Sequence, residues 1–194
     1  MPDEVESEKR ALRAELRERR RIRTATRRAH DAAAVTRHLI ELTDAVGARS
    51  VSAYLSLPDE PPTRDYLRWA DDRGIRVLLP VSRPDGLLDW APYDAGAETS
   101  DGTGMPAPTS ELLGPIAINE VDLIVVPAAA VDREGMRMGW GRGYFDKTLG
   151  SMEGCPPVYA VIFDDELVDR VPRERHDMPV DGVVTPSGIV AFDR

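Results

Sequence analysis

Asp122-Leu-Ile-Val-Val-Pro127, followed shortly by Gly135-Met-Arg-Met-Gly-Trp-Gly-Arg-Gly-Tyr-Phe-Asp146, is the stretch that decides the fold. The first piece is an apolar run of strand length, the second a glycine-rich loop, and a short helix is expected from about Tyr144. A buried strand running into a glycine loop and then a helix start is suited to hold an anion. Glycine lets backbone N–H groups turn toward phosphate without Cβ clashes, and a helix start adds partial positive charge. Arg137 and Arg142 supply charged forks, and Asp146 can hold the metal that accompanies a nucleotide. The loop lacks the Gly-Lys-Ser/Thr ending of a Walker loop, and its G-x-G-x-G spacing is not the dinucleotide fingerprint. A tight strand-to-helix turn is the plainer alternative; three alternating glycines with two arginines and an Asp favour anion binding.

Working outward, Arg49 to Leu57, Ile75 to Pro80, Leu87 to Tyr93, Val158 to Phe163 and Gly182 to Thr185 read as further strands. Helices are expected at about Ser7 to His30, with Ser7 as N-cap, at Asp31 to Val46, and at Thr63 to Arg73. Ala95 to Pro115, rich in Gly, Pro, Ser and Thr, reads as a long loop. Strands alternating with helices indicate an α/β layered domain with a largely parallel sheet. In such sheets ligands sit beyond the carboxyl ends of strands, where the glycine loop falls.

The 194 residues fit a single domain with a substantial core. No apolar stretch reaches membrane-span length, and the charged N-terminus is not signal-like. The single cysteine, Cys155, forms no intramolecular disulfide, so the cytoplasm is the expected compartment. One cysteine and three histidines exclude a self-contained Cys/His zinc site. The net charge of −9 speaks against a nucleic-acid-coating protein, although the first thirty residues are rich in arginine. Those arginines read first as a solvated face paired with Glu8, Glu15 and Glu18, second as a nucleic-acid arm, and third as a face on which Lys9 and Arg13 point into an anionic ligand. By spacing alone Glu60 is a surface acid beside a proline turn. Asp177 and Asp181 flank Met-Pro-Val after His176, and Asp181 just precedes a short buried strand.

In this order the pieces resemble the 5-formyltetrahydrofolate cyclo-ligase family, nearly end to end. The resemblance rests on Lys9…Arg13, on Tyr54-Leu-Ser-Leu…Glu60…Thr63, on the Asp122–Pro127 strand, and on Val131-Asp132. The Gly135-x-Arg137-x-Gly-x-Gly-x-Gly-Tyr-x-Asp146 signature and His176-Asp177…Asp181…Thr185 complete it. It implies a three-layer α/β/α fold of the NagB/RpiA/CoA-transferase type. The implied reaction is ATP-dependent cyclisation of 5-formyltetrahydrofolate to 5,10-methenyltetrahydrofolate, with ADP and phosphate released and Mg²⁺ as cofactor. The implied partners are these two small molecules, with no nucleic acid and no membrane, for a monomer.

Carried over by position, Lys9, Arg10 and Arg13 meet ATP phosphates, and Arg137, Met138, Gly139, Trp140, Gly141, Arg142, Gly143, Tyr144 and Phe145 wrap the nucleotide. Tyr54, Leu55 and Glu60 contact the folate. Trp140 to Tyr144 lie between the two substrates, Arg142 and Tyr144 being catalytic, Arg142 against the transferring group and Tyr144 on the pterin. Asp146 and Asp181 hold the metal. The chain departs from the family pattern at Pro127-Ala-Ala-Ala-Val-Asp132 and at Pro61-Pro62. It also departs at Gly104-Met-Pro-Ala-Pro108, where a Glu is missing near Ala107, and at Phe145, where a second Tyr is usual.

Overall fold

The computed structural model describes residues 2–95, 98–100, 106–108 and 111–193. In chain order the elements are helices α1 (Pro2–Arg21) and α2 (Ala25–Val46), strand β1 (Ser50–Ser52), α3 (Arg64–Asp72), β2 (Arg76–Ser82), β3 (Leu88–Pro92), β4 (Glu98–Ser100) and β5 (Pro106–Pro108). A 3₁₀ turn at Pro115–Glu120 then leads into β6 (Leu123–Pro127), β7 (Ala130–Asp132), β8 (Arg137–Met138), α4 (Tyr144–Gly150) and β9 (Val158–Val161). A second 3₁₀ turn at Asp164–Glu166 precedes β10 (Leu167–Val168), β11 (Gly182–Thr185) and β12 (Gly188–Ala191).

The main sheet has seven strands in the order β12-β11-β9-β6-β1-β2-β3. The pairings β11/β9, β9/β6, β6/β1 and β1/β2 are parallel, and the edge strands β12 and β3 are antiparallel. Alternation along each strand sorts side chains to opposite faces. Leu123 and Val125 pack with Val35, Leu39 and Leu42 of α2 and with Tyr66 and Leu67 of α3. Ile124 and Val126 pack on the other face with Trp90, Ile118 and Leu149. Central strands buried on both faces therefore read as continuous apolar runs, as the Leu123–Pro127 segment does. Helix α1 lies apart from both layers. Its Leu16 packs with Ala129, Ala130, Met138 and Val171, over the small sheet β10-β7-β8.

Several expected boundaries differ. The first helix does not run from Ser7 to His30; it spans Pro2–Arg21, and α2 starts at Ala25, not at Asp31. Ser7 is inside α1. The true cap is Thr24, whose hydroxyl accepts the Arg27 amide at 3.2 Å. Gly47, left-handed at φ 69°, ends α2 by returning its amide to Asp44 and Thr43. The strand expected over Arg49 to Leu57 is short, because beyond Ser52 the chain leaves the sheet to form the loop carrying Tyr54 and Glu60. Strands β4 and β5 lie within the expected Ala95–Pro115 loop. The variant Gly104–Pro108 segment falls partly outside the described residues. Strand β12 went unforeseen because its residues, none of them buried, carry no burial signal.

The strand order fixes where a ligand can sit. From β1 the chain proceeds outward to β2 and β3, then returns to β6 on the other side of β1 and proceeds to β9 and β11. The reversal lies between β1 and β6, and the crevice outside the carboxyl ends of these neighbours is the switch-point position for ligands.

Candidate active site

A cavity of about 500 Å³ opens at that switch point. The segment after β1 contributes Tyr54, Leu55, Leu57, Asp59 and Glu60; β2 contributes Leu79, Pro80 and Ser82. The end of β6 contributes Pro127, and everything from Arg137 to Asp146 lines it. Helix α1 crosses the opening with Lys9, Arg13, Arg17 and Arg20, and Glu174, His176 and Asp177 close the far side.

The glycine loop is built for close approach. Gly141 and Gly143 sit at φ 101° and 68°, where side chains strain the backbone. A Cβ at Gly141 would lie 3.4 Å from the Arg13 guanidinium. Arg13 donates from Nε to the Gly139 carbonyl at 2.9 Å, which ties α1 to the loop. Arg142 is exposed at the cavity wall, with no hydrogen bond or ion pair among the described residues. It is a cation available to a ligand. Arg137 differs. It is buried, donating at 2.7 Å to Asp146 Oδ1 and at 3.2 Å to the Pro127 carbonyl. These two bonds hold the loop against the sheet, while its Nε has no partner among the described residues.

Asp146 also accepts the Met178 amide, at 3.2 Å. Both bonds fall on Oδ1, so Oδ2 is without a partner among the described residues. Asp177 accepts Lys9 Nζ at 2.7 Å and the Glu174 amide at 2.7 Å. Lys9 also reaches Glu174 at 2.9 Å. Burial alone would lower the Lys9 pKa, but the hydrogen bonds and charges of Asp177 and Glu174 raise it, so the ammonium stays charged. The Asp146–Asp177 wall thus offers hard oxygen ligands and already holds one cation, which is the chemistry a small divalent cation needs.

Asp181, expected as the second metal ligand, is elsewhere. It does not line the cavity. Its amide donates to the Val158 carbonyl and its carboxylate accepts the Val158 amide at 2.8 Å, so it caps the start of β9 at the amino end of the sheet. Of the two acids that flank Met-Pro-Val, Asp177 is the one that lines the cavity with Asp146. Arg10, expected on the phosphates, is exposed and outside the cavity lining. It lies one residue from Lys9, a rotation of about 100° around the helix.

On the opposite wall, Glu60 accepts the Leu57 amide at 2.9 Å. It is no surface acid. Burial raises its pKa, against the lowering by the Leu57 amide and by the charge of Arg20. Tyr54 is buried with its hydroxyl unpaired, and burial pushes its pKa well up. Trp140 Nε1 likewise has no partner among the described residues. Thr63 braces this loop, donating to the Tyr54 carbonyl at 2.5 Å and accepting the Ser56 amide at 3.2 Å. Buried polar atoms are normally paired, so two orphan donors facing one cavity mark a surface that a polar ligand completes. Of the remaining groups, His38 is buried and pairs with the Thr185 carbonyl at 2.9 Å, His176 is exposed, and Cys155 is exposed, its thiol 4.0 Å from the Met152 sulfur.

The switch-point cavity thus joins a glycine loop, an exposed arginine, two carboxylates and an apolar wall ending in an acid. The model of the 5-formyltetrahydrofolate cyclo-ligase family matches residues 5–186. The chain belongs to that family. A cyclo-ligase from Mycolicibacterium smegmatis is 40% identical over 153 residues, covering 76% of this chain and 79% of the relative. The Escherichia coli K12 cyclo-ligase is 28% identical over 180 residues, covering 90% and 98%. Among solved structures, the 5,10-methenyltetrahydrofolate synthetase of Aquifex aeolicus superposes with a TM-score of 0.80 at 23% identity, covering 96% of this chain and 93% of that one. This last likeness establishes the fold, a mostly parallel sheet flanked by helices. Within the cyclo-ligase frame, Arg17, Arg20, Glu174 and Asp177 are the cavity residues that sequence reading left unassigned. A signal for the first two exists: Lys9, Arg13, Arg17 and Arg20 share one face of α1.

Proposed function

We infer that this protein is an ATP-dependent 5-formyltetrahydrofolate cyclo-ligase, working in the cytoplasm with Mg²⁺. The observation that carries the reading is the single cavity in which the glycine loop, Arg142, Asp146 and Asp177 meet the Tyr54–Glu60 wall. One side suits a triphosphate, the other a flat polar heterocycle.

The formyl oxygen on N5 is a poor nucleophile and, once attached to carbon, a poor leaving group. Attack of that oxygen on the γ-phosphorus releases ADP and leaves an iminium phosphate. N10 then attacks the activated carbon and the five-membered ring closes; loss of the N10 proton to solvent and departure of phosphate from the carbon give the methenyl product. The protein's share is positioning and charge neutralisation. Backbone amides of Gly139 to Gly143 and the Lys9 ammonium take phosphate oxygens. Arg142 neutralises the transferring group. Tyr144 packs on the pterin, and Glu60 accepts hydrogen bonds from it. Asp146 and Asp177 would hold Mg²⁺, which supplies charge neutralisation on the β- and γ-phosphate oxygens. Phe145 is partly buried against the second core cluster, a position that asks for apolar surface rather than a hydroxyl.

A nucleic-acid adaptor built on α1 is the weaker reading, since Lys9, Arg13, Arg19, Arg20 and Arg21 are all engaged with carboxylates. Among the described residues no helix is long and apolar enough to cross a membrane. The test is direct. Purified protein with ATP, Mg²⁺ and 5-formyltetrahydrofolate is expected to produce methenyltetrahydrofolate absorbance. Its absence at high enzyme concentration, with ATP still bound, refutes the folate assignment.

A further inference from the structure

Arg20 and Glu166 form an ion pair buried to within 1% and 2% exposure of their side chains. The fork is bidentate. Nε donates to Oε1 at 2.6 Å and Nη2 to Oε2 at 2.9 Å, and Nη2 also donates to the Ala128 carbonyl at 2.9 Å. Glu166 Oε2 further accepts the Phe163 amide at 2.8 Å. Desolvating two charges roughly cancels their attraction, so such a pair is a weak source of stability and a good source of fixed geometry.

What the geometry fixes is Trp140. The Arg20 guanidinium carbon lies 4.7 Å from the centroid of the Trp140 ring, and that of Arg17, three residues earlier on α1, lies 5.1 Å from it. Trp140 is the middle residue of the glycine loop, between two glycines that cannot brace it themselves. Its indole N–H is unpaired, and so is the hydroxyl of Tyr54 on the neighbouring wall. Arg20 itself lines the cavity.

We propose that Arg20, pinned by Glu166, is a positioning residue that holds the Trp140 ring at the folate side of the cleft and so sets affinity for the folate but not for ATP. This rests on the cyclo-ligase reading of the cavity. Arg20 acts through the ring face, and the indole edge is what meets the substrate. The ATP side of the loop is held separately, by Arg13 on the Gly139 carbonyl and Arg137 on Asp146.

The test compares Arg20→Met, Glu166→Met and the double variant, each as full chain. Either single change strands a buried charge and is expected to lower Tm, whereas the double removes both charges and is expected to recover it. A purely structural pair would then regain normal kinetics in the double. The positioning role predicts instead that the double keeps a KM for 5-formyltetrahydrofolate raised on the order of tenfold, the size of a desolvated cation–π contact, with KM for ATP within about twofold of the parent. A normal folate KM in the double, or an equal rise for ATP, overturns the proposal. A second readout does not depend on turnover. The Trp140 emission, obtained by subtracting a Trp140→Phe version of each background, is expected to be shielded from acrylamide in the parent and quenched more readily in the double. Equal quenching overturns the proposal even if the chain turns over no folate, and absent turnover with unequal quenching would fault only the functional reading.

Discussion

The two ends of the central sheet carry aspartates of the same chemistry in opposite employment. At the amino end, Asp122 accepts the amides of Arg49 and Ser50, both at 2.9 Å, and Asp181 accepts the amide of Val158 at 2.8 Å. Each carboxylate reaches sideways to the first N–H groups of the neighbouring parallel strand, which the ladder leaves unpaired. Those bonds hold the Asp122 pKa below the usual range. At the carboxyl end, Asp146 and Asp177 accept backbone amides too, yet both line the cavity, and Asp177 already neutralises Lys9. An aspartate satisfied by the sheet is part of the scaffold; one with an oxygen left over is available for chemistry. The difference lies in which end of a parallel strand the residue follows.

The comparison can be broken most directly at the carboxyl end. Asp146→Asn and Asp177→Asn are expected to lower kcat by about 10²–10³-fold and also to lower Tm, because each leaves a buried cation, Arg137 or Lys9, without its counter-charge. Full turnover by Asp177→Asn at saturating Mg²⁺ would return the metal role to Asp181. Arg142→Ala should follow, with kcat lower by about 10²-fold and no thermal cost, since the side chain has no partner to lose among the described residues.

Glu60 sharpens the contrast on the folate wall. Because burial raises its pKa, the protonated form favours the fold below the ordinary value of 4.5, and that contribution is lost as pH rises through the folded-state pKa. Glu60→Gln should therefore be more thermostable than the parent at neutral pH, by a margin that shrinks as pH falls toward the ordinary value. It should also bind the folate more weakly, by about tenfold in KM. Thermal melts across pH and steady-state kinetics check the two halves separately.

At the amino end the effects are smaller and purely structural. Asp181→Ala should cost about 1–2 kcal/mol in denaturant unfolding and leave kcat/KM within about twofold. Asp122→Ala, at an exposed site, should cost about 1 kcal/mol with no kinetic change.

Much of the site was legible beforehand because it is local. The Leu123–Pro127 strand, the glycine loop, Arg142 and Asp146 lie in one continuous stretch, and a strand that ends in glycines places its loop at the sheet's carboxyl edge whatever surrounds it. Helix α1 was legible as a helix but not in its bounds. Ser7 offers a cap that the chain does not use, while Thr24 restarts the helix after a short break. Arg20 and Glu166 were not legible as partners. They are far apart in sequence; the helix face that Arg20 shares with Lys9 and Arg13 points to the cavity, but nothing local names Glu166 as its partner.

The sequence by itself determined the alternation of strands and helices, the glycine loop after the central strand and the family, because each rests on residue types at fixed local spacing. Only the tertiary structure put Asp177 in the cavity lining and Asp181 at the amino end of the sheet. Hydrogen bonds from the Val180 amide to the Gly135 carbonyl and from the Asp181 amide to the Val158 carbonyl draw Asp181 into the sheet. Asp177, in the turn before them, is left facing Lys9 across the cavity. Pairing between distant strands sets that register, and no local pattern encodes it.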